Sequence, residues 1–589
     1  MNCSNKFKLT AVAMMVGTAM NANAALYKVV EITPNDIDIT DKAVFGVAIE
    51  RGDVAFDKGC FDNGADCINS DQFALAGETR PTLLADGSKL PSLLAGVSVD
   101  GVNFREETPF SSDSRFRSFE KRDYLEDFCF SEYGYETCES WASSVWAPLH
   151  QVRYSSNSDP VSLAFVEGQS FDNQYNSVIN TLIEGAIPVG NQSVLNSASN
   201  STEDKVETDN QPFSPSLPPN YEKLDDNDER TEYAQVRAWN YHNNLTSGSV
   251  AYARGNDYGL NYVSKAAIWD DNGDVSVVRW ESGQPNEDEK LSQGSIRDFV
   301  VSKDDDGNIN NIYAVGFNTW DNDRNQLNAT VFKGSFDTVG GPLSEIKWDL
   351  STVSGARSYD GSDYIYSNTV IEAINNNKLA VGEAKRTTPE SGARANRLFV
   401  IKDIDSPSAD FLSGGIFFSG AGGHIGGLNN YNEIVGQIDA ENTREDGGKA
   451  RRKRAFIEPF DFEGTISSRR DVFKNKSWLL DDLTNGGDYS NENNRFRIID
   501  ATDINDAGVI SATATMCNEG YDTTAHNALC DGGNANAEKV VAVKLIPLPG
   551  ATKDMIEPRS VEQTASERQG AGLGWLALTM LGLFGFRRK

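Results

Sequence analysis

Short runs rich in β-branched and aromatic residues recur along this chain between polar, glycine-containing turns. Val29-Val-Glu-Ile32, Val275-Ser-Val-Val-Arg-Trp280, Ile312-Tyr-Ala-Val315, Ala455-Phe-Ile457 and Val540-Val-Ala-Val-Lys-Leu-Ile546 are clear cases. Asp270-Asp-Asn-Gly273 and Asp306-Gly-Asn308 are typical of the punctuation. The pattern predicts many short strands and an all-β class. The stretch from Arg115 to Trp146 differs: its charged and aromatic residues predict one or two helices around Cys129 and Cys138.

The strand pattern repeats. Ala373-Ile-Asn-Asn-Asn-Lys-Leu-Ala-Val-Gly382 is followed by Asn396-Arg-Leu-Phe-Val400, and Gly427-Leu-Asn-Asn-Tyr-Asn-Glu-Ile-Val-Gly436 by Lys453-Arg-Ala-Phe-Ile457. A third copy joins Thr502-Asp-Ile-Asn-Asp-Ala-Gly-Val-Ile-Ser511 to Glu538-Lys-Val-Val-Ala542. Weaker copies start at Asn308 and Gly248. Asn and Asp tolerate positive φ and bond their own backbone, so each unit is a turn followed by two strands. One unit has too little apolar surface to stand alone and must stack on its neighbours. The spacings between Gly316, Gly382 and Gly436 are 66 and 54 residues, longer than propeller periods of about 40–50.

A closed β-propeller-like ring is the expected fold, with a small helical, disulfide-stapled insertion. Pairing of Tyr27–Ile32 with Val540–Ile546 would close it. Two β-sandwich-like domains are the alternative. The expected divisions are residues 1–24 as a signal segment and 25–190 as an N-terminal β region. A polar linker or long loop follows over 191–230, rich in Asn, Ser, Pro and Asp. Residues 231–548 form the repeat region, 549–570 a linker and 571–589 a terminal sorting or transmembrane segment. The units resemble the HAF-type extracellular repeat, in which Ile-Asn-x-x-Gly-x-Val-Val-Gly precedes an Arg-Ala-Phe strand. The whole chain resembles an uncharacterised family of exported Gram-negative proteins, through Ala25-Leu-Tyr-Lys-Val-Val-Glu31, Ala76-Gly-Glu-Thr-Arg80 and Cys138-Glu-Ser-Trp-Ala142. That resemblance implies architecture and export and assigns no activity.

Both ends change the picture. Lys6 and Lys8, the apolar stretch Leu9–Met20 and Ala22-Asn-Ala24 follow the order of a secretory signal, with cleavage by signal peptidase expected between Ala24 and Ala25. The terminal run Leu573–Phe586 is 14 residues long with three glycines, short of the ~20 apolar residues a spanning helix needs. Gly570, Gly572 and Gly574 precede or enter it, and Arg587 and Arg588 follow. The tail resembles the GlyGly C-terminal sorting signal, which implies a transient inner-membrane tether, removal by a rhombosortase-type protease and passage to the surface or medium. A retained anchor is the alternative.

The chain holds 86 acidic and 54 basic side chains, a net charge of −32. Such a surface repels nucleic acid and anionic membranes. The six cysteines after Cys3 fall in near neighbours, which in an exported protein suggests Cys60–Cys67, Cys129–Cys138 and Cys517–Cys530 disulfides. The pairs lack C-x2-C spacing and a matching histidine interval, against a zinc site.

Candidate chemistry is sparse. His150, His242, His424 and His526 are far apart, and no metalloprotease, nucleophile-elbow or phosphate-loop motif occurs. His424 lies in a glycine-rich run expected as a flexible turn, and His526 is expected on an exposed loop. Asp304, Asp306, Asp321 and Asp323 are the Ca2+ candidates, though neither stretch completes an EF-hand loop. No cofactor is otherwise implied, and no catalytic residue is assigned. Trp239, Trp269, Trp280 and Trp320 suit either a core or a sugar face. A non-catalytic protein binding a glycan or an envelope protein is the leading expectation; a secreted polysaccharide hydrolase or lyase with channel carboxylates is the alternative.

Overall fold

The computed structural model describes residues 24–68, 72–82, 122–128, 163–196, 207–219, 235–256, 259–280, 292–320, 327–390, 393–442, 451–534 and 536–562, plus a few isolated positions. Seven antiparallel sheets form a seven-bladed propeller. Their innermost strands, in blade order, are Lys42–Ile49, Asn176–Ile183, Gln235–His242, Gly294–Lys303, Tyr366–Ile374, Gly423–Leu428 and Phe496–Ile504. Each contacts the next around the ring, and the last contacts the first. The helix Arg122–Phe128 lies in the long connection within blade 1.

The ring closes as expected. Tyr27–Ile32 is the outer strand of blade 7, with Tyr27 opposite Pro547 and Ile32 opposite Ala542. Asn493 fixes this strand, accepting from the Val29 N–H at 3.0 Å and donating to the Tyr27 carbonyl at 2.9 Å. A single closed ring replaces the two-sandwich alternative.

The core lies in the seams between blades. Ile268, Ile296, Phe299 and Phe332 join blades 3 and 4. Val315, Val331, Ile371 and Phe399 join blades 4 and 5. Leu398, Ile425, Ile434 and Phe456 join blades 5 and 6. Because every sheet is packed on both faces, its strands carry continuous apolar runs rather than strict alternation.

The repeat's asparagine works between blades. Asn375 accepts from the Asn377 and Leu379 N–H groups, both at 3.1 Å, and donates to the Asn429 carbonyl at 2.9 Å. Asn429 caps its own turn and donates to the Asn505 carbonyl at 3.1 Å. Asn505 donates onward to the Glu50 carbonyl at 3.0 Å. These amides thus tie blades 5, 6, 7 and 1 in sequence.

The repeat's Val-Gly also has a mechanical cause. In every blade the inner strand carries a β-bulge, with the register shift falling at Val47, Asn180, Trp239, Arg297, Glu372, Gly426 and Thr502. The residue before the bulge faces a glycine of the second strand in six blades and Ala512 in blade 7. A Cβ on Gly316 would lie 2.1 Å from the Ser295 carbonyl oxygen, and one on Gly382 would lie 2.3 Å from that of Val370. The bulge pushes the inner carbonyl into the space a side chain would fill.

Three expectations change. Residues 191–230 are not simply a linker: Ile187–Asn196 and Glu207–Phe213 pair as the outer strands of blade 2. Their ladder satisfies the backbone without an apolar run, and Phe213 packs edge-on against Phe171 at 5.6 Å. Residues 220–230 lie outside the described residues. Residues 549–562 are a packed strap rather than a linker, since Arg559 is buried and its N–H donates to Asp482 at 2.8 Å. The boundary at 231 is not a domain boundary, because one ring includes both sides of it.

The Cys60–Cys67 and Cys517–Cys530 disulfides are present. Cys138 is disulfide-bonded, while Cys129 lies outside the described residues. Ala25 is buried, with its N–H 3.2 Å from the Gly486 carbonyl. The sorting positions Gly570, Gly572, Gly574, Arg587 and Arg588 lie outside the described residues. Among those residues no helix is long and apolar enough to cross a membrane.

Candidate functional site

The bulges of blades 3, 4 and 5 bring together side chains that are far apart in sequence. The Arg297 guanidinium carbon lies 3.4 Å from the centre of the Trp239 ring. Its Nε is 4.0 Å from Glu372. Flat stacking fits a planar, weakly hydrated cation.

The row continues into blade 6. Glu372 shares a hydrogen bond with Glu383, the residue after the bulge-facing Gly382. Glu383 lies 3.1 Å from His424 Nδ1 and accepts from the Asn396 amide. Asn396 also donates to the Gly423 carbonyl at 2.9 Å, fixing the start of the His424 strand. The side chains of Arg297, Glu372, Glu383 and His424 are 9, 19, 10 and 22 % exposed. They are partly desolvated yet reachable.

Two touching carboxyls cannot both ionise cheaply. Burial, with the neighbouring Glu383 carboxylate, pushes Glu372 up to about 7, while Arg297 and His424 oppose the rise. The arrangement offers a stacked cation, a hydrogen-bonded acid pair and an imidazole in one contiguous row.

His424 corrects an expectation. The glycine-rich run is not a flexible turn: Gly423–Leu428 is the inner strand of blade 6. A Cβ on Gly426 would sit 1.8 Å from the Ala501 carbonyl of blade 7, so close packing explains the glycine. His526 is also not exposed. Its side chain is 13 % exposed, with Nε2 2.9 Å from Asp482 and Nδ1 3.9 Å from Asp481.

Asp481 is fully buried and faces Arg454 at 3.1 Å. Burial alone would raise its pKa, but His526 and the charges of Arg454, Arg559 and Arg497 hold it well below the carboxylate range. Burial lowers the His526 pKa, and the two aspartates more than reverse that. This network clamps the 549–562 strap: Arg559 donates to the Asp481 carbonyl at 2.7 Å and the Thr524 carbonyl at 2.9 Å. His242 is driven down to about 4 by burial, with Arg51 and Lys303 adding to the effect. His150 lies outside the described residues.

Among the Ca2+ candidates, Asp304 closes the turn between the first two strands of blade 4, accepting from the N–H groups of Asp306 at 3.1 Å and Asn308 at 2.8 Å. Asp306 is exposed, and Asp321 and Asp323 lie outside the described residues. Among the described residues, no group of three or more His, Cys, Asp or Glu is placed to hold a metal ion. Trp269 is wholly buried, and the indole N–H groups of Trp280 and Trp320 donate to Ser264 and Thr330, each at 2.9 Å. Trp239 alone of these four stacks on a cation of the row.

Sequence reading missed Glu372, Glu383 and Arg297. A usable signal was the position after the Val-Gly glycine. Glu78, Asn191, Glu383, Gln437 and Thr513 occupy it or its blade 7 equivalent, and each reaches the next blade's inner strand.

Comparison with known proteins gives a family and little more. No curated protein matches. One solved structure, titled "Glycoside hydrolase", is 11% identical over 56% of this chain and 88% of its own, with a TM-score of 0.20; that likeness is too weak to carry an argument. A family model described as "Protein of unknown function (DUF3466)" matches residues 242–589, more than half of the sequence, and the chain belongs to that family.

Proposed function

We propose that this is an exported, non-catalytic binding propeller that takes a glycan at the row Trp239–Arg297–Glu372–Glu383–His424. The observation that carries the reading is the row itself: an aromatic ring, a guanidinium and hydrogen-bonding acids brought together by successive inner-strand bulges. Sugars are recognised by such mixtures of apolar face and fixed polar groups. The two carboxyls also speak against glycoside hydrolysis at this place. That reaction uses carboxyls about 5–5.5 Å apart or about 6.5–9.5 Å apart, whereas Glu372 and Glu383 are hydrogen-bonded directly to each other.

Export completes the proposal. Signal peptidase would cut between Ala24 and Ala25. The tail containing Gly570, Gly572, Gly574, Arg587 and Arg588 would tether the protein briefly to the inner membrane before a rhombosortase-type protease released it. The body would then act at the surface of a Gram-negative cell or in the medium. HAF-type repeats in the blades accord with that location.

A glycan array probed with the purified body tests the binding claim. Binding to a saccharide class, weakened at least tenfold in Trp239→Ala with the melting temperature retained, is the expected result. No glycan bound, equal binding by the variant, or chain cleavage in a reducing-end assay would overturn it.

A further inference from the structure

We infer that the Cys60–Cys67 and Cys517–Cys530 disulfides form a redox clasp on the strap 549–562, and that the strap seals the N-terminal strand into blade 7 only when both bridges are oxidised. The clasp is independent of the glycan reading. It uses the export proposal only for the compartment in which the bridges form.

The two bridged loops grip the two ends of the strap. At its start, the Gly550 N–H donates to the Phe61 carbonyl at 2.9 Å. Asn63 of the same loop lies so close that a Cβ on Gly550 would meet its Oδ1 at 2.1 Å. At the far end, the His526 N–H donates to the Ser560 carbonyl at 2.8 Å. The Asn527 amide exchanges two bonds with the Glu562 backbone, at 2.7 and 2.8 Å, and Arg559 reaches the Thr524 carbonyl at 2.9 Å. Phe61 and Asn63 lie between Cys60 and Cys67, and residues 524–527 lie between Cys517 and Cys530.

The middle of the strap covers the strand that closes the ring. The Ala24 N–H donates to the Met555 carbonyl at 3.1 Å, and the Ala25 N–H to the Gly486 carbonyl at 3.2 Å. Asn485, the residue before Gly486, donates to the Glu557 carbonyl at 2.9 Å. Ala551 and Ile556 of the strap share one buried cluster with Leu26, Tyr27 and Phe61. Undocking the strap therefore uncovers the start of Tyr27–Ile32.

The loops have little besides their bridges to fix them. Between the cysteines, only Tyr521 and Ala525 of the longer loop and Phe61 and Ala65 of the shorter one are buried. The longer loop is otherwise held through its carbonyls, by Arg497 and Arg454. Segments with few buried apolar contacts open at the lowest free-energy cost, and a covalent closure removes open conformations. Each bridge forms by exchange with a disulfide oxidant: two thiols lose two protons and two electrons, one S–S bond forms, and the oxidant's disulfide becomes two thiols. A dithiol reductant reverses the step. Oxidising conditions lie outside the cytosol, so the ring is sealed after export.

Hydrogen exchange read by mass spectrometry, with brief trypsin digestion, tests this on the purified body. The samples are the oxidised protein, Cys60→Ser/Cys67→Ser, Cys517→Ser/Cys530→Ser, and the unaltered protein refolded under tris(2-carboxyethyl)phosphine. Loss of the Cys517–Cys530 bridge is expected to speed cutting after Arg559 and exchange over 556–562 by about tenfold or more. Loss of the Cys60–Cys67 bridge does the same over 549–553. Exchange at Leu26 rises in both variants and in the reduced protein, while blade 4 exchanges as in the oxidised protein. Unchanged strap exchange in either variant, or an unchanged Leu26 when the strap opens, would overturn the inference. So would blade 4 exchange that rises in step with the strap, or a variant or reduced protein that cannot form the blades, because the bridges would then support the whole fold rather than clasp one segment.

Discussion

Replacing Gly316 by alanine isolates the device that builds the row. The added Cβ would lie 2.1 Å from the Ser295 carbonyl oxygen and 3.1 Å from the Arg297 nitrogen. Ordinary carbon–oxygen contacts begin near ~3.3 Å, so the inner strand must retreat by more than an ångström. The colliding oxygen belongs to the ladder pair Ser295–Phe317, and Arg297 is the bulged residue beside it. Overpacking costs about 1–3 kcal/mol, and one or two weakened ladder bonds add about 0.5–1.5 kcal/mol each. The total is about 1.5–6 kcal/mol. Gly307→Ala is the comparison, because Gly307 has φ +84° and open space around it, leaving only left-handed strain of about 1–2 kcal/mol. Urea titration followed by tryptophan fluorescence and far-ultraviolet circular dichroism would measure both. Gly316→Ala should lose more stability, and at temperatures where it remains folded it should also lose ligand affinity. Equal stability for Gly316→Ala and the unaltered protein, or a greater loss in Gly307→Ala, would refute the reasoning.

Asp481→Asn should destabilise blade 7 by about 3–5 kcal/mol, because it removes the buried carboxylate that Arg454, Arg497 and Arg559 share and leaves Asp482 to face Arg559; limited proteolysis should then cut within 549–562 first. Asp481 has a depressed folded pKa, so its contribution is present above about pH 4 and is lost as pH falls through the folded value, visible as acid unfolding that is less steep in the variant. His526 has a raised folded pKa, so its contribution is present below about 6.5 and fades as pH rises through the folded value; the melting difference between the unaltered protein and His526→Gln should shrink from pH 6 to pH 9. Asn429→Ala removes two accepted and two donated bonds and should cost about 2–3 kcal/mol in denaturant titration, while exposed Asn376→Ala stays within about 0.5 kcal/mol. Cys517→Ser opens a loop with sequence separation 13 and should cost about 2–4 kcal/mol, measurable as a lower melting temperature without reductant.

The ring was legible where its repeats were regular. Asn375, Asn429 and Asn505 each stand seven residues before the position that faces the bulge, Gly382, Gly436 and Ala512, and the structure uses all three as ties between blades. Blades 1 and 2 were hidden because long connections separate their strands, as between Pro81 and Leu163. Blade 2 was hidden further by polar outer strands that read as linker. The candidate site was barely legible. Glu372 and Glu383 are joined by a tight turn whose register depends on the bulge, while Arg297 and Trp239 arrive from other blades. No local pattern announces a contact that only ring closure makes. His424 stands out in the sequence for its neighbouring glycines, of which Gly426 accommodates the Ala501 backbone.

Carbodiimide labelling of carboxyls, read by mass spectrometry with and without a saccharide that the glycan array identifies, bears most directly on the central claim. The account predicts that labelling of Glu372 and Glu383 falls when the saccharide is bound, while exposed acids elsewhere on the ring are unaffected. Protection confined to other blades, with Glu372 and Glu383 unchanged in the bound state, would contradict it.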